Sequence, residues 1–140
     1  MSNTKKIIKN EAEMMIFGEE MAKKLILPAV IELIGDVGAG KTTFTRGLAK
    51  GLGVAEAVTS PSFTISKKYF FSGGSLTHYD FYRLDEPGLM AEDLMAAMNK
   101  NNSLVVVEWG SDVEGILPKD RIVIRINYTE AGERELEVEK

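Results

Sequence analysis

The most constraining stretch of this chain is Gly35-Asp36-Val37-Gly38-Ala39-Gly40-Lys41-Thr42, which fits the pattern G-x-x-x-x-G-K-[ST]. An apolar run, Ala29–Ile34, precedes it, and Lys41–Leu52 follows with Phe44, Leu48 and Leu52 at helical spacing. Strand, glycine-rich turn and helix in that order read as a phosphate loop. Glycines let the backbone wrap tightly, so successive N–H groups converge on phosphate oxygens. The following helix turns its positive N-terminal end toward the same phosphates. Lys41 has the reach for β- and γ-phosphates, and the Thr42 hydroxyl is a magnesium ligand of the expected type. Asp36, Gly38, Ala39, Gly40, Lys41, Thr42 and Thr43 are therefore the candidate nucleotide contacts.

A phosphate loop binds nucleotide without saying which reaction follows. Hydrolysis also needs an acidic group for the metal and something to orient water. Glu108 ends the apolar run Leu104–Val107, and Asp80 ends a second candidate strand after His78 and Tyr79. The C-terminal ends of parallel strands gather at one edge of an open α/β sheet, where ligands sit. Asp80, Glu108 and Lys41 are thus the candidate catalytic residues, with Thr42 and Glu108 the candidate metal ligands. Ser60-Pro61-Ser62-Phe63-Thr64 offers hydroxyls on a proline-stiffened loop, either a phosphate sensor or an ordinary turn. His78 is the only histidine, has no other metal ligands at suitable spacing, and reads as structural. Trp109 reads equally as core or as a surface anchor.

The rest of the chain fills in around the loop. Glu11–Leu25 carries Met14, Phe17, Met21 and Leu25 at helical spacing, with Pro28 beyond its end. Gly47 and Gly51 inside the Lys41–Leu52 helix cost about 1 kcal/mol each relative to alanine, a sign of close backbone packing against something. Thr64–Phe71 and Ser75–Asp80 flank Ser72-Gly73-Gly74 and read as a hairpin. Asp85-Glu86-Pro87 reads as a helix opening, with Met90, Leu94 and Met98 as the apolar stripe. Arg121–Asn127 and Glu133–Glu139 alternate strictly about a turn at Thr129–Gly132. The row Glu133, Glu135, Glu137 and Glu139 reads as a solvated face. The expected fold is an α/β, P-loop NTPase-like three-layer domain over residues 1–140. Its mixed sheet has parallel central strands and antiparallel flanking hairpins.

Composition excludes several classes. The 140 residues leave room for one domain. Seventeen Lys and Arg stand against 21 Asp and Glu, net −4, which argues against a protein that coats nucleic acid by bulk charge. Arg46, Lys50, Lys67, Lys68 and Arg83 add local positive charge whose default reading is a solvated face. No cysteine is present, so neither disulfides nor thiolate zinc sites are available. The longest apolar run, Leu25–Ile31, is interrupted by proline and too short for a bilayer span, and no signal peptide is read. A cytoplasmic protein without membrane or DNA partners is expected.

Four segments occur together in order: GDVGAGKTTFTRG (Gly35–Gly47), SPSFTI (Ser60–Ile65), HYDFYRL (His78–Leu84) and VEW (Val107–Trp109). Together they closely resemble the TsaE (formerly YjeE) family of bacterial P-loop ATPases. The likeness extends over nearly the whole chain, to Phe17-Gly18, Gly115–Pro118 and Gly132–Arg134. Ser62 stands where the family more often has threonine, and Gly110 where proline or serine is more usual. The resemblance implies an ATP- and Mg2+-dependent ATPase, slow alone, acting in synthesis of N6-threonylcarbamoyladenosine in tRNA. It implies association with the TsaD–TsaB pair, which carries out the transfer itself, so that tRNA is met indirectly through the complex. By matching motifs, Lys41 and Thr42 would hold phosphate and magnesium, Glu108 would act on magnesium, and Asp80 on metal or attacking water, or the last two exchanged. Arg134 would lie near the nucleotide.

Three other readings compete. A small-molecule kinase needs a substrate pocket and an arginine-bearing lid, and only five arginines are present, with no insertion between strands. A GTPase needs an N-K-x-D signature and a D-x-x-G switch, and neither occurs. A nucleotide-gated binding module without useful turnover is the stronger rival, since so short a chain offers little to bury a γ-phosphate alone.

Overall fold

The computed structural model describes residues 3–36, 40–59, 66–81 and 90–140. The elements run β1 (Asn3–Ile8), α1 (Glu11–Lys24), β2 (Ala29–Ile34), α2 (Lys41–Leu52), β3 (Ser66–Phe71), β4 (Gly74–Asp80), α3 (Ala91–Met98), β5 (Ser103–Glu108), a 3-10 segment (Ser111–Ile116), β6 (Ile122–Tyr128) and β7 (Arg134–Glu139). The strands form one seven-stranded sheet in the order β1-β7-β6-β2-β5-β4-β3. β4, β5, β2 and β6 are mutually parallel neighbours, while β3 on β4 and β7 on β6 close the flanks as antiparallel hairpins. This is the mixed α/β architecture that the sequence predicts.

Strand alternation decides the layers. In β5 every residue is buried. Leu104 and Val106 join Phe44, Leu48, Met14 and Ala22 in a core between the sheet and α1 and α2. Val105 and Val107 point the other way, onto Leu94 and Ala97 of α3 and Val113 of the 3-10 segment. A strand buried on both faces cannot alternate polar with apolar, so it reads as a continuous hydrophobic run.

Helix α1 begins on a reciprocal cap. The Asn10 side chain accepts from the Glu13 N–H, and the Glu13 carboxylate accepts from the Lys9 N–H, both at 2.9 Å. Such a cap is worth about 1 kcal/mol. α1 and α2 then meet backbone to backbone. A Cβ placed on Gly47 would lie 2.3 Å from the Met15 carbonyl oxygen, and one on Gly51 would lie 2.5 Å from that of Glu19. Gly18 answers from α1, 2.5 Å from the Phe44 carbonyl. The helical glycines are thus explained by the partner helix.

Three features depart from the sequence reading. β1, exposed at every residue except Ile8, is an additional strand that pairs with β7. β7 is therefore interior, and its acidic row is only half-buried rather than fully solvated. Glu137 faces Lys5 at 3.9 Å and Glu139 pairs with Arg125 at 2.8 Å. The 3-10 segment fills a stretch without a clear period. The helix opening at Asp85-Glu86-Pro87, the loop Ser60–Thr64 and Arg83 lie outside the described residues. No described helix is long and apolar enough to cross a membrane.

The helix contact carries a prediction. Gly47→Ala is expected to destabilise the chain by about 1–3 kcal/mol, since overpacking against backbone outweighs alanine's better helix propensity. Gly115→Ala, where an added Cβ meets nothing within 4 Å, is the control and should leave the midpoint of thermal unfolding nearly unchanged.

Candidate functional site

The site is assembled at the C-terminal edge of the parallel strands. Leu33 of β2 and Asp80 of β4 are both register partners of Glu108 in β5. The chain leaving β2 enters the glycine-rich turn and returns as α2. Gly40, the residue before α2, has φ 106, a left-handed conformation that a side chain rarely tolerates. α2 has no side-chain cap and no acidic residue in its first turn. Its positive end is thus left for an anion, the arrangement found at phosphate sites.

Lys41 opens α2 and is only 5% exposed. Its ammonium donates to the Gly35 carbonyl at 2.6 Å and lies 3.4 Å from Glu108 Oε1. The Trp109 ring sits 4.3 Å from the same nitrogen. Trp109 reaches it from a left-handed backbone, φ 56, uncommon for so bulky a residue and a local strain next to the site. Glu108, also 5% exposed, gives its second oxygen, Oε2, to Nε2 of His78, which is fully buried. Lys41, Glu108 and His78 thus form one buried chain of polar contacts. Burial pushes the Glu108 carboxyl up. The hydrogen bond and electrostatic pull of His78, then those of Lys41, outweigh that and hold it below the usual carboxylate range.

The sequence candidates separate into groups. Lys41 and Glu108 are in contact, and Asp80 stands beside Glu108 in the neighbouring strand. Thr42 and Thr43 occupy the first turn of α2, partly exposed, and Asp36 is exposed at the start of the loop. Gly38 and Ala39 lie outside the described residues. Arg134 begins β7 opposite Tyr128, the last residue of β6, which runs parallel to β2. It therefore lies at the loop's edge of the sheet, two strands from β2, and its guanidinium stacks 4.0 Å from the Tyr128 ring. It also donates to the Gly132 carbonyl at 3.2 Å. His78 and Trp109 belong to the site although neither is assigned to it from sequence. Parity in β4 was the available signal: His78 lies two residues before Asp80 and so shares its face. Arg46, one of the basic candidates, donates to the Val58 carbonyl at 2.9 Å.

The donor set suits magnesium in association with a nucleotide. No cluster of three or more His, Cys, Asp or Glu able to hold a metal exists among the described residues. Thr42, Glu108 and Asp80 instead offer a few hard oxygens at one edge. Magnesium is held in this way, by one or two protein ligands with phosphate and water completing the shell.

Fold and site together define a mixed-sheet α/β protein with G-x-x-x-x-G-K-T between a central strand and its helix. A family model described as "Threonylcarbamoyl adenosine biosynthesis protein TsaE" matches residues 8–136. Three proteins named tRNA threonylcarbamoyladenosine biosynthesis protein TsaE are similar over most of the chain. The Haemophilus influenzae protein is 33% identical over 133 residues, 91% of this chain and 84% of its own length. That of Streptomyces coelicolor is 43% identical over 112 residues, 79% and 76%. That of Bacillus subtilis is 42% identical over 108 residues, 76% and 66%. The crystal structure of Bacillus subtilis YdiB superposes with a TM-score of 0.80 at 32% identity, covering 98% of this chain and 84% of that one. The chain belongs to the TsaE family, a family of tRNA threonylcarbamoyladenosine biosynthesis.

Since the folded Glu108 carboxyl is held below its ordinary value of 4.5, its contribution to stability is complete above that pH and is lost as pH falls through the lower folded value. Thermal unfolding followed across acid pH should show Glu108→Gln losing less stability than wild type below pH 4.5. Parallel curves would contradict the depressed carboxyl.

Proposed function

We propose that this chain binds ATP with magnesium and hydrolyses it in support of tRNA N6-threonylcarbamoyladenosine synthesis, as a cytoplasmic partner of the TsaD–TsaB pair. One observation carries the reading: the lysine of the glycine-rich loop opens an uncapped helix and lies 3.4 Å from a buried strand-end carboxylate. A lysine 5% exposed is expensive to keep charged unless an anion meets it. Here Glu108 fills that place, and ATP phosphates would take it over.

Each residue then has a task. Backbone N–H groups of the loop from Asp36 through Gly40, with those of Lys41, Thr42 and Thr43 at the helix start, bind the phosphates. Lys41 spans the β- and γ-groups. Thr42 and Glu108 would hold magnesium, which neutralises charge between those phosphates. Asp80, beside Glu108, orients the attacking water. Water adds to the γ-phosphorus, the bond to the β-phosphate oxygen breaks, and ADP and inorganic phosphate leave. Arg134, on the same sheet edge, would approach the nucleotide from β7. Contact with tRNA is indirect, through the partner proteins, in keeping with a net charge of −4.

ATP hydrolysis measured for the protein alone, and with TsaD, TsaB and tRNA, tests this. The partners are expected to raise the rate, and Glu108→Ala or Asp80→Ala to lower it by about 10²–10³-fold, the usual cost of removing one electrostatic group. Lys41→Ala should weaken ATP binding itself. Absence of stimulation by the partners would sink the assigned role. Nucleotide binding without turnover in any mixture would favour a nucleotide-gated module, and phosphate appearing on an added metabolite a kinase.

A further inference from the structure

The fully buried His78 makes a single described polar contact, Nε2 to Glu108 Oε2. Among the described residues its other nitrogen, Nδ1, is buried with no hydrogen-bond partner. A carboxylate only accepts, so Nε2 is the donor. An imidazole with one nitrogen unsatisfied is a poor core filler: an apolar side chain of similar size would leave no orphan there. What the ring gains is spent on Glu108.

That contact divides the two carboxylate oxygens. Oε2 is engaged by His78 from β4, while Oε1 is turned toward Lys41 and the start of α2. Without the imidazole, the plane of the Glu108 carboxylate is held at one oxygen only and can turn about its broad last torsion. We infer that His78 is a positioning residue: by holding one oxygen it fixes the plane of the Glu108 carboxylate, so that the other oxygen is presented toward Lys41 and the start of α2, and then to the nucleotide's magnesium. The inference rests on the nucleotide reading above and goes further, by making the Mg2+ dependence of nucleotide binding a property of a residue that touches neither metal nor phosphate. Partners behind a metal ligand usually matter at about the 10–100-fold level.

Calorimetric titration of the intact protein with ATP, with and without Mg2+, reads this directly. In wild type Mg2+ should tighten ATP binding. His78→Leu should cut the Mg2+ enhancement, read as the ratio of affinities with and without Mg2+, by about 10–100-fold. His78→Gln, whose amide carries a donor near the position of Nε2, should restore most of it. His78 acts through Glu108, so His78→Leu should change nothing further in a Glu108→Gln background. Should the leucine variant not fold, His78→Asn and His78→Gln carry the same comparison, because the shorter amide falls short of Oε2. Full Mg2+ enhancement in His78→Leu or His78→Asn, or losses that simply add in the double variant, would overturn the positioning role while leaving the nucleotide reading intact. A wild-type protein whose ATP binding ignores Mg2+, or that binds no ATP, would overturn both.

Discussion

The in-register parallel pairing of β4, β5 and β2 is the constraint on which the site depends. It sets Asp80, Glu108 and Leu33 side by side in three adjacent strands, so that everything leaving these strands leaves at one edge. Polar groups cannot be placed in the middle of such a sheet without partners, and β5 is apolar from Leu104 through Val107, with polar residues only at its two ends. Glu108 is charged because the strand ends there and Lys41 meets it. The lysine in turn is tolerated at 5% exposure because the carboxylate and the Gly35 carbonyl meet it. Removing either charge leaves the other buried without its opposite charge, held only by His78 or by the Gly35 carbonyl, which costs more than the pair contributes to stability.

The helical layer packs behind the start of α2. α1 and α2 approach so closely at Gly18, Gly47 and Gly51 that neither can slide without a carbonyl meeting a side chain. The same packing carries Met14, 2% exposed, to the start of α2, where its methyl group lies 3.0 Å from where a Gly40 Cβ would be. Gly40, the residue before α2, is therefore seated against α1. On the opposite face Tyr79 donates to Asp93 at 2.5 Å, tying α3 to β4. Burial and this hydrogen bond push the Tyr79 hydroxyl well above its ordinary value. The pairing of Glu32 in β2 with Arg121 at 2.8 Å braces the segment that follows Glu108.

Legibility in the sequence followed the strength of the local signal. β2 and α2 agree with their expected bounds because an apolar run, a glycine-rich turn and a 3.6-residue period all point the same way. β5 and the two hairpins were readable for similar reasons. β1 was not, because its side chains are exposed up to Ile8 and a strand that only completes a sheet carries no burial pattern of its own. The acidic row of β7 looked solvated because Lys5, which faces Glu137, comes from a strand at the other end of the chain. His78 reads as structural from sequence because its partner lies thirty residues away in another strand, beyond any local spacing.

The amino-acid order alone determined the phosphate-loop pattern, the strand and helix around it, the candidate acids Asp80 and Glu108, and the resemblance to the TsaE family. These rest on local periodicity and on residue types at fixed spacing, which a chain carries before it folds. Tertiary structure alone decided that Glu108 lies between Lys41 and His78, that Trp109 covers the lysine, and that the glycines of α2 exist for α1. Those facts depend on strand order and register. Register follows from which hydrophobic faces can be buried together, and that is a property of the whole sheet rather than of any segment in it.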